Sequence, residues 1–220
     1  ESPREPSFLK EVENLRPDLI CVVAYGHILR QELLNIPLLG SLGLHPSLLP
    51  KYRGAAPINW ALIRGERITG LTTFFMNEAM DAGEIVLRKE VEILDGETAG
   101  ELEQRLAETG ADLLIDTLGL IRTGKAPRLP QDDFKVTYAP KISKEDCLIA
   151  WNATPSEVRN LIHGLSPSPG AYTLFRGWRL KILRASICSR HLVSSEPGEL
   201  SECGESLSVA CRGGSLLLRE

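Results

Sequence analysis

The sequence lacks a C-x-x-C pair, an internal repeat, an apolar leader and any excess of positive charge. No apolar run approaches the ~20 residues that a membrane helix needs. Each absence excludes something. The five cysteines, at 21, 147, 188, 203 and 211, are odd in number and unpaired in spacing. That argues against a disulfide framework or a zinc site and for a reducing, cytoplasmic setting. The N-terminal stretch Glu1-Ser2-Pro3-Arg4-Glu5-Pro6 is not that of a signal peptide. With 25 Lys+Arg against 29 Asp+Glu, the net charge is −4. A uniformly basic nucleic-acid binder is excluded, and a local basic face is not. Neither a P-loop nor a G-x-G-x-x-G follows any strand candidate.

What is present is a chain of 220 residues, 43% hydrophobic, long enough for one large domain or two modest ones. Residues 18–24 form a short apolar, β-branched run, as in a strand buried on both faces of a sheet. Cys21 then reads as core. A helix is expected over Ile28–Leu34 and a second strand over Ser41–Leu44, stopped at His45-Pro46. Gly54-Ala55-Ala56-Pro57 opens a helix with Ile58, Ala61, Leu62 and Ile63 as its buried face. Strands follow over Thr69–Met76 and Glu84–Val91. Thr98 and Glu101 have capping-box spacing ahead of a long helix that buries Leu102, Leu106, Leu113, Leu114, Thr117 and Ile121 and stops at Gly124. This alternation predicts an open α/β sheet over residues 1–124. Residues 125–145, with Pro127, Pro130 and Pro140, read as a linker. Beyond it, Thr154-Pro155-Ser156-Glu157 caps one short helix. Short strands are expected over Ala171–Phe175, Trp178–Cys188, Leu207–Cys211 and Ser215–Leu218, with a turn at Arg212-Gly213-Gly214. Residues 146–220 therefore predict a small β domain.

The sharpest local signal is His45-Pro46-Ser47-Leu48-Leu49-Pro50-Lys51-Tyr52-Arg53-Gly54. It puts an imidazole at the carboxyl end of a strand, where open α/β sheets bind ligands. A histidine that only hydrogen-bonds a carbonyl at a strand end fits the same position. Asp81, in Asn77-Glu78-Ala79-Met80-Asp81-Ala82-Gly83, also follows a strand and could orient that ring. Taken alone, it reads as a turn residue. Tyr25-Gly26-His27 could line the same face, or His27 could be a surface residue. His163 and His191 have no partners at metal spacing and are expected to be solvated or packed.

These segments resemble the 10-formyltetrahydrofolate-dependent formyltransferases of the methionyl-tRNA type over nearly the whole chain. The resemblance rests on Val22-Val23-Ala24-Tyr25-Gly26, on the His45 motif continued through Ala55-Ala56-Pro57-Ile58, and on Asp81-Ala82-Gly83-Glu84-Ile85. It continues in Thr137-Tyr138-Ala139-Pro140-Lys141-Ile142-Ser143-Lys144, Ile149-Ala150-Trp151 and Leu165-Ser166-Pro167-Ser168-Pro169-Gly170-Ala171, which favour the tRNA enzymes over sugar-formylating relatives. It implies a Rossmann-like catalytic domain, present here in part, joined to a small OB-like β barrel. The implied reaction moves a formyl group from 10-formyltetrahydrofolate to the amino group of methionine on initiator tRNA. A cytoplasmic monomer without a metal is expected.

The family's site is an asparagine, a histidine and an aspartate. The last two carry over to His45 and Asp81. The asparagine position, two before the histidine, is Gly43 here, so one side-chain amide is missing. The folate pocket carries over to Tyr25, Gly26, His27, Ile28 and Leu29, to Pro46, Ser47, Leu48, Leu49 and Pro50, and to Glu78, Ala79 and Met80. Arg53, Arg176, Arg179, Lys181 and Arg184 are the expected tRNA contacts, and alternation puts Arg179 and Lys181 on one face. The resemblance also implies that this sequence opens after the family's first strands and stops before its usual end, which would leave a sheet edge exposed. In the implied chemistry His45 donates to the oxyanion and Asp81 holds the imidazolium and relays the proton. Gly43→Asn is then expected to raise turnover. The competing readings are a relative that hydrolyses the folate donor or passes its formyl group to another acceptor such as a sugar, and a non-catalytic folate- or tRNA-binding module.

Overall fold

The computed structural model describes residues 3, 5–188, 196–204 and 206–220. His191 lies outside them. The chain forms two compact units: residues 1–57, 68–92 and 105–140, and residues 58–67, 93–104 and 141–220.

The first unit is built on a mixed four-stranded sheet in the order β1-β2-β3-β4. β1 (Ile20–Val23) runs parallel to β2 (Ser41–His45), and β3 (Ile68–Phe75) is antiparallel to β2 and to β4 (Ile85–Glu92). The run at 18–24 does form a strand, but not one buried on both faces. Val22 packs with Leu29, Leu33 and Leu34, whereas Cys21 on the opposite face is exposed and is not core. Among the described residues β1 is an edge strand of this sheet, and its packed side chains lie on the Val22 side. The helix expected from Ile28 is reduced to α2 (Gln31–Leu34), because Arg30 at its N-cap is extended and offers no side-chain cap. Leu29 is buried from that extended stretch.

β2 and β3 are buried almost throughout. The long helix α4 (Ala99–Arg122) starts in the second unit, where Thr98 and Glu101 form the expected reciprocal cap. Within the first unit its residues Leu114, Leu118 and Ile121 pack on Leu42, Phe75 and Val86. Thr117 sits in that apolar stripe because its hydroxyl meets Thr73 of β3 at 2.9 Å and donates to the Leu113 carbonyl.

The second unit is organised by α5 (Pro155–Leu165), whose Thr154–Glu157 capping box is complete. Val158, Ile162 and Leu165 pack with Ile149, Ala171, Ile182, Ala185 and Leu216 in one core. β5 (Ala171–Phe175) and β6 (Trp178–Ile182) make a hairpin. β7 (Ala185–Ile187), β8 (Leu200–Cys203), β9 (Ser206–Cys211) and β10 (Gly214–Leu218) form an antiparallel sheet in the order β7-β10-β9-β8. The strand expected over Trp178–Cys188 is interrupted because Leu183 and Arg184 both donate their amides to the Glu220 carbonyl. Among the described residues these strands form two sheets and not one closed barrel. Among the same residues no helix is long and apolar enough to cross a membrane.

Candidate active site

His45 is the last residue of β2, paired through its backbone with Thr72 of β3, and is buried. Its Nε2 lies 2.9 Å from the Tyr52 carbonyl oxygen. A carbonyl only accepts, so Nε2 carries the hydrogen and donates. The other nitrogen, Nδ1, faces Asp81 Oδ2 at 3.7 Å. The Tyr52 contact alone is what a structural strand-end histidine would make. The carboxylate at the second nitrogen is what such a histidine would not need.

The loop after β2 is pinned by its own polar groups. Thr72 Oγ1 donates to the Ser47 carbonyl at 2.7 Å and accepts from the Leu49 amide at 3.1 Å. Ser47 Oγ donates to the Lys51 carbonyl at 2.6 Å. Tyr52 adopts φ 62°, and its amide donates to Thr137 Oγ1 at 2.9 Å. That conformation, uncommon for a bulky residue, turns the carbonyl toward His45.

Asp81 reaches the same corner from the loop after β3. Its backbone is left-handed, φ 52°, a conformation Asp tolerates better than most residues but at a cost of order 1 kcal/mol. Oδ2 accepts from the Gly54 amide at 2.8 Å, so one carboxylate oxygen faces both the imidazole and a fixed N–H. Gly54 has to be glycine, with φ 126° and a hypothetical Cβ only 2.6 Å from the Ala139 carbonyl oxygen.

A third segment closes the corner, and neither residue pattern nor family motif pointed to it as part of a site. Gln131 Nε2 donates to the carbonyls of Asp81 and Gly83 at 2.8 and 2.9 Å. Its Oε1 accepts from Arg53 Nε and Nη2 at 3.1 and 2.7 Å. Thr137 and Ala139 flank Arg53 by backbone pairing. Arg53, expected to contact tRNA, is buried and directed at Gln131, with Asp133 at 3.7 Å. Its guanidinium is not part of a surface strip.

Gly43 lies in mid-strand, between Val22 and Phe74 on the neighbouring strands. A Cβ there would come within 2.7 Å of the Phe74 ring and 3.3 Å of Met76 Cγ. The ring is held by buried Leu49 and Ile85. Phe74 therefore fills the room that an asparagine at 43 would use. The expectation that Gly43→Asn alone raises turnover is corrected accordingly: the ring has to yield first.

Of the expected folate-pocket residues, Tyr25, Gly26, His27, Ile28, Glu78, Ala79 and Met80 are exposed, and Leu29, Ser47, Leu49 and Pro50 are buried. Pro46 and Leu48 are partly buried. Tyr25 and His27 lie with ring centroids 5.3 Å apart. Met76 packs against both the Leu29 cluster and the Leu49 cluster, which links two of the three segments through one flexible side chain.

In the second unit, cross-strand pairing puts Tyr172, Leu174, Arg179 and Lys181 on one face of the β5–β6 hairpin. The Arg179 guanidinium lies 4.0 Å from the Tyr172 ring centroid, and Arg176 lies 5.3 Å from that of Phe175. Arg184 is instead paired with Glu101 at 2.6 Å. The Thr98 amide and Arg184 together hold the Glu101 carboxyl down at about 2. His163 is buried and accepts the Ala185 amide at Nε2, 3.2 Å away. Among the described residues no group of three His, Cys, Asp or Glu could hold a metal ion.

Comparison with known proteins shows the family of the chain. The formyl transferase family profile matches residues 1–118, and the profile of the formyl transferase C-terminal domain matches residues 141–220. The chain is 45% identical over 218 residues to the methionyl-tRNA formyltransferase of Syntrophus aciditrophicus, covering 99% of this chain and 70% of that protein. It is 44% identical to that of Geobacter sulfurreducens, covering 99% of this chain and 68% of the relative. HypX from Aquifex aeolicus, solved in complex with tetrahydrofolic acid, superposes with a TM-score of 0.77 at 22% identity, over 97% of this chain and 37% of its own, and so shares the fold. With both halves matched by its profiles and such relatives beside it, the chain belongs to the formyl transferase family.

Proposed function

We propose that the protein formylates the amino group of methionyl initiator tRNA with 10-formyltetrahydrofolate as donor, at the His45–Asp81 corner. The observation that carries this reading is the approach of Nδ1 to Oδ2 at 3.7 Å, beside the Gly54 amide, in a chain 45% identical to a methionyl-tRNA formyltransferase. The neutral amine attacks the formyl carbon, and negative charge collects on its oxygen. The bond from that carbon to the folate nitrogen then breaks, and the proton lost by the amine passes to that nitrogen.

Tyr52 holds Nε2–H, which leaves Nδ1 as the nitrogen that takes up and returns the proton. Asp81 steadies the ring while it is charged. Once it has taken up the proton, Nδ1–H is the donor to the negatively charged oxygen, and one preorganised donor of this kind supplies roughly 10²–10³ in rate. The donor's ring is expected between Tyr25–Leu29, Pro46–Pro50 and Glu78–Met80. In the second unit, Arg176, Arg179 and Lys181 offer a basic, aromatic-backed face to tRNA phosphates, whose affinity should fall with salt. That unit is read as the family's OB-like module, and the protein as a cytoplasmic monomer.

Gly43 favours a second reading, in which a site short of one amide uses water as acceptor and hydrolyses the donor. One experiment separates the two. With formyl-labelled donor, label should enter methionyl-tRNA, and free formate should stay at background when tRNA is omitted. Formate release at an equal rate without tRNA would reject the transferase reading.

A further inference from the structure

We infer that Gln131 is a positioning residue of the transfer site, which holds Asp81 in its left-handed turn and thereby aims the carboxylate at His45. The inference rests on the reading of His45 and Asp81 given above and extends it to a segment that touches neither side chain. The bonding of Gln131 is complete and directional. Both its N–H groups are used on the Asp81 and Gly83 carbonyls, on either side of Ala82, and its oxygen accepts two donors from one guanidinium. Within the turn itself the Ala79 amide donates to Asn77 Oδ1 at 3.0 Å and the Ala82 amide to the Ala79 carbonyl at 3.4 Å, and neither bond holds the Asp81 carbonyl. Asp81 sits at φ 52°, and residues 77–80 are exposed.

Gly83 cannot relieve this by shifting, because a Cβ there would lie 1.6 Å from the Phe75 carbonyl oxygen, so its backbone is already pressed on β3. Arg53 in turn is fixed by backbone bonds to Thr137 and Ala139 on both sides. It is followed directly by Gly54, whose amide holds the other end of Asp81. Asp81 is thus gripped at its carbonyl by Gln131 and at its carboxylate by Gly54, and Arg53 ties the two grips into one frame. A half-buried side chain with all four hydrogen-bonding positions used is held in one orientation, and that order passes to the one carboxylate that faces an imidazole.

The test compares Gln131→Leu, Gln131→Glu, Asp81→Asn and His45→Ala in the full chain, with rates taken per mole of donor-binding sites. Gln131→Glu keeps an acceptor for Arg53, so it retains that contact, but it replaces the one nitrogen that carries both donors with an oxygen facing two carbonyls. It serves as the deciding variant where Gln131→Leu fails to fold. Both Gln131 variants should lower kcat by roughly 10²-fold, the scale of a small misplacement remote from the chemistry, and leave the KM for the folate donor within about threefold. In the Asp81→Asn background, adding Gln131→Glu should change the residual single-turnover rate by less than about twofold, because both act through one carboxylate.

Multiplicative losses in the double variant, or a Gln131→Glu protein with wild-type kcat beside an impaired Asp81→Asn, would overturn the inference. A thermal transition lowered with kcat per site unchanged would do the same. Wild-type rates in His45→Ala and Asp81→Asn would instead remove the underlying reading, which keeps the two failures apart.

Discussion

The two units each bury a histidine, and the two sites differ in what the ring nitrogens meet. In the first unit the backbone partner of His45 is a carbonyl, which demands an N–H, and a carboxylate stands at the second nitrogen. In the second unit the backbone partner of His163 is an amide, which demands a bare nitrogen. Burial and the nearby Arg159 push the His163 pKa below its ordinary value. One ring faces a carbonyl and a carboxylate, and the other faces an amide and is held below its ordinary pKa. Burial alone does not distinguish them, since both are under a tenth exposed. The sign of the hydrogen bond and the charge at the far nitrogen do.

The most direct way to break this comparison is to delete each ring. His45→Ala should cut formyl transfer by about 10²–10³-fold and leave donor binding in place. His163→Leu should leave turnover near wild type and cost about 1–3 kcal/mol of stability, because it strands the Ala185 amide in the interior. Single-turnover rates and denaturant unfolding of both variants check this. Equal losses of turnover from the two, at equal stability, would erase the distinction.

Part of the first corner was legible in the sequence. His45 ends a strand beside a proline, whereas Asp81 reads by itself as a turn residue in a glycine-closed loop, and the family resemblance is what joined the two. Both capping boxes were equally plain, since Thr98–Glu101 and Thr154–Glu157 are satisfied within one turn. What stayed hidden depends on partners remote in sequence. Cys21 looked like core because its neighbours are apolar, yet among the described residues it is exposed. Gln131 sits in a proline-rich stretch with no pattern of its own, and its meaning comes from two carbonyls some fifty residues earlier. Arg53 looked like a phosphate ligand until its burial and its amide partner were visible. His163 was expected to be solvated or packed and is packed, but that its backbone partner is an amide is a tertiary property.

A second test sharpens what limits the first corner. Gly43→Asn alone should lower stability by about 1–3 kcal/mol through overpacking against the Phe74 ring, without raising turnover. Paired with Phe74→Leu, the new amide has room. Turnover of the double variant should then exceed that of the wild type by some fraction of the roughly 10²-fold that one added donor supplies elsewhere. The two changes should be strongly non-additive in stability, since each relieves the other. A double variant no more active than Phe74→Leu alone would mean that this corner works without the amide and that the space near Gly43 is purely a matter of packing.

The smallest expected effect lies in the second unit and concerns pH. The pKa of His163 is lowered in the folded protein, chiefly by burial, while the unfolded chain keeps the ordinary value near 6.5. Below that pH the unfolded state binds a proton that the folded state resists, so stability is complete above about 6.5 and declines as pH falls toward and through the lowered folded value. Protonation also removes the acceptor of the Ala185 amide, a bond worth about 1 kcal/mol. Amide exchange at Ala185, corrected for the intrinsic pH dependence, should therefore lose protection between pH 7 and 5 in the wild type. In His163→Gln, whose side-chain oxygen accepts without titrating, protection should stay level. A level profile in the wild type would mean that His163 stays neutral through this range or that the amide finds another acceptor, and the contrast between the two rings would then rest on His45 and its carboxylate alone.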